Sequence, residues 1–297
     1  TADGGRPPLR LHGNPGLHGI DYVMPVASAQ VKSALLLAGL YASGATRVTE
    51  PAPTRDHTER MLAAFGHSVQ RAGGTVTVRG GGTLHAADIA VPADISSAAF
   101  FMVGATIAPG SDVTLRDVGV NPTRIGVIEI LRLMGANLAL LNSRELGGEP
   151  VADIRVRSAK LRGIEIPREL VPLAIDEFPA LFVAAASAHG RTVLRGAEEL
   201  RVKESDRIQV MADGLSAIGA QAVPTPDGMI IDGGPYAGGV VESHGDHRIA
   251  MAFAMAAMAA SGARGPIIIH DCANVATSFP GFIGIARSAG LSIEERA

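Results

Sequence analysis

The chain has 297 residues, 47% of them hydrophobic, 19% charged and 4% aromatic, with a formal net charge of -3. That is enough for one large domain or two ordinary ones with a sizeable core, and it excludes wholesale disorder. It also excludes a polybasic nucleic-acid footprint, and no apolar run reaches the roughly 18 residues of a membrane span or opens the chain as a signal peptide would, so a cytoplasmic protein is expected.

In chain order, an Ala-rich helix is predicted from Ala29 to Leu40, opened by Ser28-Ala29-Gln30 after Pro25. The phrase SGATRVTEPAPTRDHTERMLAAFGHSV follows. It reads as a glycine, a short β-branched strand, a polar loop and an amphipathic helix whose apolar face carries Met61, Leu62 and Phe65. Gly66 then suits a left-handed C-cap that returns the chain to a strand. The stretch Gly73 to Gly82, GGTVTVRGGG, reads as a strand between turns, and no Walker or dinucleotide fingerprint occurs anywhere.

At AADIAVPAD, residues 86–94, the pattern shifts. A domain crossover is expected there, giving a first domain over 1–88 and a second over 89–297. The same grammar then returns three times. Ala-rich helices over Ser96 to Thr106, Pro179 to Ala188 and Ile249 to Ala260 precede PGSDVTLRDVGVNPTRIGVIEILRLMGANL, HGRTVLRGAEELRVKESDRIQVMADGLSAIGAQA and RGPIIIHDCANVATSFPGFIGIARSAGLSI. The helix-ending glycines are Gly66, Gly135, Gly219 and Gly290. Each unit reads helix, strand, loop, helix, strand, strand. One unit cannot bury its own apolar face, so several must pack together. The single cysteine, Cys272, excludes an internal disulfide and a multi-thiolate metal site, and is read as a small buried residue.

Polar clusters fall where helices begin. Arg55-Asp56-His57-Thr58-Glu59 opens one helix. Asp176-Glu177-Phe178-Pro179 suits another, with Asp176 as N-cap and proline in the first turn. Lys203-Glu204-Ser205-Asp206-Arg207 leads into the Ile208 helix, and Gly245-Asp246-His247-Arg248 into the Ile249 helix. Helix N-termini favour anions, and Arg55, Lys203, Arg207 and Arg248 would strengthen that preference. Lys203 and Arg207 are four apart, on one helical face if the turn starts there. Each cluster also has a structural reading: Asp176 as a plain cap, Asp246-His247-Arg248 as a cap with a solvated histidine, Arg55-Asp56-His57 as a loop salt bridge. In KESDR, Glu204 could pair Lys203 and Arg207 on an exposed face. The other histidines, His67 and His189 among them, lack metal-ligand spacing, so no metal is expected.

Together PVASAQVKSALLLAGLYASG, TRDHTERML, AIDEFPAL, LRVKESDRI, GDHRIAMAFA and VATSFPGF resemble the 5-enolpyruvylshikimate-3-phosphate (EPSP) synthase family, in family order and over nearly the whole chain. The resemblance implies an α/β (α+β) enolpyruvyl transferase fold: repeated βαβαββ units forming two inside-out α/β barrel domains, the first incomplete. It implies transfer of an enolpyruvyl group from phosphoenolpyruvate to shikimate 3-phosphate in aromatic amino acid biosynthesis, with release of phosphate and no cofactor. Carried over by motif, Ser28, Ala29, Gln30, Arg55, Asp176 and Lys203 bind shikimate 3-phosphate. Gln30, Arg207, His247 and Arg248 bind phosphoenolpyruvate. Asp176, Glu204 and Lys203 are the catalytic groups. SAQ, TRDHTE and Thr277 in VATSFP are similar to the glyphosate-tolerant class, so low glyphosate sensitivity is expected.

The family's N-terminal loops, of Lys-Ser-Ile-Ser and Gly-Asn-Ala-Gly-Thr type, have no counterpart here. A split enzyme, a processed product and a fragment all remain open. Weak or no turnover by this chain alone is expected, with a complementary N-terminal chain or segment as partner and no nucleic acid or membrane. The alternatives are an enzyme like UDP-N-acetylglucosamine enolpyruvyl transferase and a non-catalytic fragment that keeps the fold.

Overall fold

The computed structural model of the chain describes residues 8–260 and 265–296. By contact density it divides into two compact units, Thr1–Ile89 and Ala90–Ala297. In the first, β1 (Asp21–Val23), α1 (Ala29–Gly39), β2 (Ala45–Thr49), α2 (His57–Ala64), β3 (Val69–Ala72) and β4 (Thr75–Arg79) follow one another. The strands form a sheet in the order β1-β2-β4-β3, with β1 parallel to β2 and the other pairings antiparallel. This is one βαβαββ unit.

The second unit repeats the plan. α3 (Ile95–Ile107), β5 (Asp112–Gly119), α4 (Gly126–Leu133), β6 (Asn137–Leu146) and β7 (Glu149–Arg157) give the sheet order β5-β7-β6. α5 (Phe178–Ala186), β8 (Gly190–Leu194), α6 (Arg207–Ala217), β9 (Gln221–Thr225) and β10 (Gly228–Gly233) give β8-β10-β9. In both, the opening strand is reduced to parallel bridges, Ala93 to Val118 and Glu165 to Val193. β11 (Gly239–Glu242), α7 (His247–Ala256), β12 (Ile267–His270), α8 (Asn274–Ser278) and α9 (Phe282–Ser288) complete the chain, with β11 parallel to β12.

The helix-ending glycines behave as their chemistry requires. Gly66, Gly135, Gly219 and Gly290 have φ of 80, 93, 90 and 98°, a region costly for residues with a Cβ. Helices α3, α5 and α7 pack on one another. They are apolar on nearly every side, as fits a helix surrounded by protein. Phe100, Phe178 and Phe253 are among the largest fully buried side chains. Each such ring contributes about 1.5–3 kcal/mol by leaving water.

Four expectations change. Met61 is exposed, because the buried face of α2 runs through Glu59 and Leu62 and Met61 lies about 100° round from Leu62. The fourth repeat does not end in a strand: residues 291–296 form no ladder, Leu291 packs into the core, and Arg287 Nε donates to the Ile293 carbonyl at 2.9 Å. Cys272 is exposed, because it lies in the turn between β12 and α8, where its thiol donates to the Ile269 carbonyl at 3.3 Å. Desolvation of the sulfur and the charges of Asp271, Glu242 and Glu295 push that thiol's pKa up, which disfavours a reactive thiolate. Asp176 is not the cap of α5, as described below. Among the described residues, no helix is long and apolar enough to cross a membrane.

Candidate active site

In the first unit the residues of interest open two helices. Ser28 caps α1, its hydroxyl accepting from the Val31 amide at 3.3 Å, and Ala29 and Gln30 form the first turn. Arg55 stands two residues ahead of α2. Asp56, at the cap position, turns its carboxylate to Arg60 (Nε to Oδ1 and Oδ2, 3.0 Å each) and to Arg71 Nη1 at 2.9 Å. The two helices are fastened to each other. Ser33 and Thr58 share a 2.7 Å hydrogen bond, and the buried Lys32 ammonium lies 2.8 Å from Glu59 and 3.1 Å from Glu50. The starts of α1 and α2 are therefore held as one piece.

In the second unit three segments converge. Asp176 sits inside a 3-10 turn, Ile175–Glu177, and Glu177 takes the cap position of α5 without a side-chain capping bond. The turn forms because Pro179 suits the first turn of α5 while the chain ahead must tighten to reach it. Asp176 Oδ1 lies 3.5 Å from Lys203 Nζ and 3.8 Å from Arg207 Nη1. The four-residue spacing of those cations is not helical, since α6 begins only at Arg207 and Lys203 is extended, with φ −79 and ψ −156°. They meet because the 3-10 turn Glu198–Val202 and the α6 start both face Asp176.

Arg207 is 1% exposed and sits in a network of carboxylates. Its Nε donates to Asp246 Oδ2 at 2.8 Å, and its Nη2 donates to Glu204 Oε2 at 2.5 Å. Asp246, wholly buried, also caps α7 through the Arg248 amide at 2.9 Å and accepts from the Ser205 hydroxyl at 3.0 Å. Burial works against its ionisation. The Arg207 hydrogen bond and charge, the Arg248 amide and Ser205 outweigh that and hold its pKa below the ordinary carboxylate value. Arg248 Nη1 donates to the main-chain carbonyl of Asp176 at 2.9 Å. Burial, then the positive charges of Arg248 and Arg207, lower the His247 pKa, against the opposing pull of Asp246 and Glu204, so a neutral imidazole stands in the first turn of α7. Lys203 also pairs with Glu199.

Behind this lies a layer that the motifs did not single out. Arg124 Nη2 donates to the Ser96 hydroxyl at 2.6 Å, Ser96 donates to Glu177 Oε1, and that carboxylate oxygen lies 3.7 Å from Arg124 and 3.8 Å from Arg248. The repeat itself carried a signal for Arg124. Arg55, Arg124 and Arg207 occupy corresponding loop-to-helix junctions of three successive units, two residues ahead of α2, two ahead of α4 and at the first residue of α6.

The fold and these clusters define a class: an α/β protein of repeated βαβαββ units that sets arginines and a lysine around a carboxylate at converging helix starts. The chain matches the family model of EPSP synthase (3-phosphoshikimate 1-carboxyvinyltransferase) over residues 1–285, and it belongs to that family. It is 68% identical over 294 residues to the 3-phosphoshikimate 1-carboxyvinyltransferase of Methylococcus capsulatus, covering 99% of this chain and 67% of that protein. It is 67% identical to that of Nitrosococcus oceani, covering 99% of this chain and 65% of the other. An EPSP synthase from Acinetobacter baumannii superposes with a TM-score of 0.92 at 57% identity, over 100% of this chain and 68% of that one. The chain thus has the enolpyruvyl transferase fold and spans about two thirds of the length of these relatives.

Proposed function

We propose that this chain carries most of the binding and proton-transfer groups of an enzyme that moves the enolpyruvyl group of phosphoenolpyruvate onto shikimate 3-phosphate, releasing phosphate. The observation that carries this reading is the convergence of Asp176 with Lys203, Arg207 and Arg248, from three separate segments, in a chain of this family. Ser28, Ala29, Gln30 and Arg55 bind the shikimate 3-phosphate, whose phosphate suits amides at the start of α1 and a guanidinium. Arg207, His247 and Arg248, with Gln30, hold the phosphoenolpyruvate.

The reaction is an addition followed by an elimination. Asp176 takes the proton of the attacking hydroxyl as its oxygen bonds to the enol carbon, and the methylene gains a proton to become a methyl. The tetrahedral ketal then loses a methyl proton and phosphate, which leaves the enolpyruvyl ether. Lys203 and Glu204 serve the proton at carbon and the leaving phosphate. Glu199 pairs with Lys203, and Glu204 with Arg207. Both carboxylates are exposed, so an incoming dianion can displace them at little cost in desolvation. The remainder of the enzyme, supplied as a complementary N-terminal segment, belongs to this proposal, as does a cytoplasmic setting.

The test is phosphate release from the two substrates by the chain, alone and with that segment added. Asp176→Asn is expected to lower the rate at least 100-fold, within the range of a lost general base. A rate in Asp176→Asn equal to that of the parent would defeat the assignment.

A further inference from the structure

One buried carboxylate in the second unit has no part in that chemistry. Glu177 is 2% exposed, directly follows Asp176 and faces two guanidinium groups. Arginine can only donate, so Ser96 must accept from Arg124, and its own proton is left for Glu177. The chain Arg124 to Ser96 to Glu177 therefore runs in one direction and ends on a carboxylate oxygen that points at Arg248 Nη1. The same Nη1 is held by the Asp176 carbonyl. Consecutive residues of one tight turn thus grip Arg248, one by its main chain and one by its charge.

We infer that Glu177, supported by Ser96 and Arg124, is a positioning residue that fixes the Arg248 guanidinium for phosphoenolpyruvate. This rests on the binding role given to Arg248 above. Burial alone pushes the Glu177 pKa up, and the nearby Asp176 adds to the rise against the pull of Arg124, Ser96 and Arg248. Against that penalty the carboxylate is held by the Ser96 hydroxyl and by two guanidinium groups, a fixed set of contacts at the turn beside Arg248. The remaining nitrogens of the Arg248 fork then face a ligand from a fixed direction, so the ordering entropy is spent before binding.

Glu177→Gln keeps the shape and the Ser96 hydrogen bond and removes the charge. With shikimate 3-phosphate saturating, phosphoenolpyruvate affinity is expected to fall about tenfold, the scale of one lost charge-assisted contact, while shikimate 3-phosphate affinity stays within about twofold. In the cycle with Arg248→Lys the losses should not add, because both act through one guanidinium. Additive losses, an unchanged phosphoenolpyruvate affinity, or equal loss for both ligands with a lowered Tm would overturn the inference. If the parent chain itself binds no phosphoenolpyruvate, the functional reading fails and a separate readout decides. The Arg248 Nε–Hε NMR signal, assigned by its loss in Arg248→Lys, should be sharp in the parent and broadened in Glu177→Gln. Equal sharpness in both would overturn the inference on its own.

Discussion

Asp246 shows how one residue can be both scaffold and instrument. Its carboxylate satisfies a fully buried guanidinium and starts the helix that carries His247 and Arg248. Asp246→Ala strips the Arg207 Nε of its acceptor, leaving Glu204 and Asp176 to face the guanidinium, and removes the cap of α7 at once. Breaking a buried ion pair costs up to about 3–5 kcal/mol, an upper bound here because Glu204 stays on Arg207, and the lost cap adds about 1. A comparable fall in urea stability is expected. The pH dependence has a definite sign. A carboxylate whose folded pKa is depressed contributes stability that is complete above its unfolded value and disappears as pH falls through the folded one. The gap between parent and variant should therefore stay constant at neutral pH and narrow below about pH 4. A gap that is unchanged down to pH 2 would show that Asp246 does not act as an ion.

At the scale of elements, small residues set how closely the helices of the second unit approach. Gly214 in α6 and Gly104 in α3 are both interior helical glycines, where alanine gains about 1 kcal/mol of propensity. Their surroundings differ. A Cβ at Gly214 would overlap the ring of the fully buried Phe253 and press on Val241. A Cβ at Gly104 would meet the Met255 sulfur at 2.7 Å, at the far end of a flexible side chain that can turn aside. Gly214→Ala should therefore destabilise by about 1–3 kcal/mol, as overpacking does. Gly104→Ala should be neutral or mildly stabilising in the same thermal or urea unfolding experiment. Equal effects would mean that Phe253 is as yielding as Met255. The elements themselves were largely readable, because each repeat announces itself by a glycine in left-handed conformation and a change from helical to alternating apolar spacing. The setting of Asp176 was not readable, since a cap and a 3-10 turn share the same local signature of acid before proline. The convergence of Lys203 with Arg207 was expected for the wrong reason, helical spacing, when the end of the 3-10 turn Glu198–Val202 and the start of α6 bring them to Asp176. Glu177 and Ser96 lay outside reach for a related reason: they are 81 positions apart, and no local pattern joins them.

For the molecule as a whole, the two units differ in what sustains them. The second encloses one continuous apolar core around α3, α5 and α7. The first has a core of Met24, Leu36, Val48, Leu62, Val76 and Val78, and it leaves Val23, Val26 and Tyr41 largely exposed and Met61 half exposed. Small units bury a smaller fraction of their surface and are correspondingly marginal. Cooperativity is therefore expected to break between them, with amides of β2 and β4 exchanging and melting at lower urea than those of α5 and α7. The same difference offers a check on function. A ligand that binds only the folded form at 100 times its Kd adds about 2.7 kcal/mol to the unit it contacts. Shikimate 3-phosphate, assigned to Ser28 and Arg55, should raise the midpoint of the first transition, and Arg55→Ala should abolish that rise while leaving the ligand-free transition in place. Coincident transitions for both sets of amides would overturn the expected difference in stability. A rise that survives Arg55→Ala would move the phosphate site away from the start of α2.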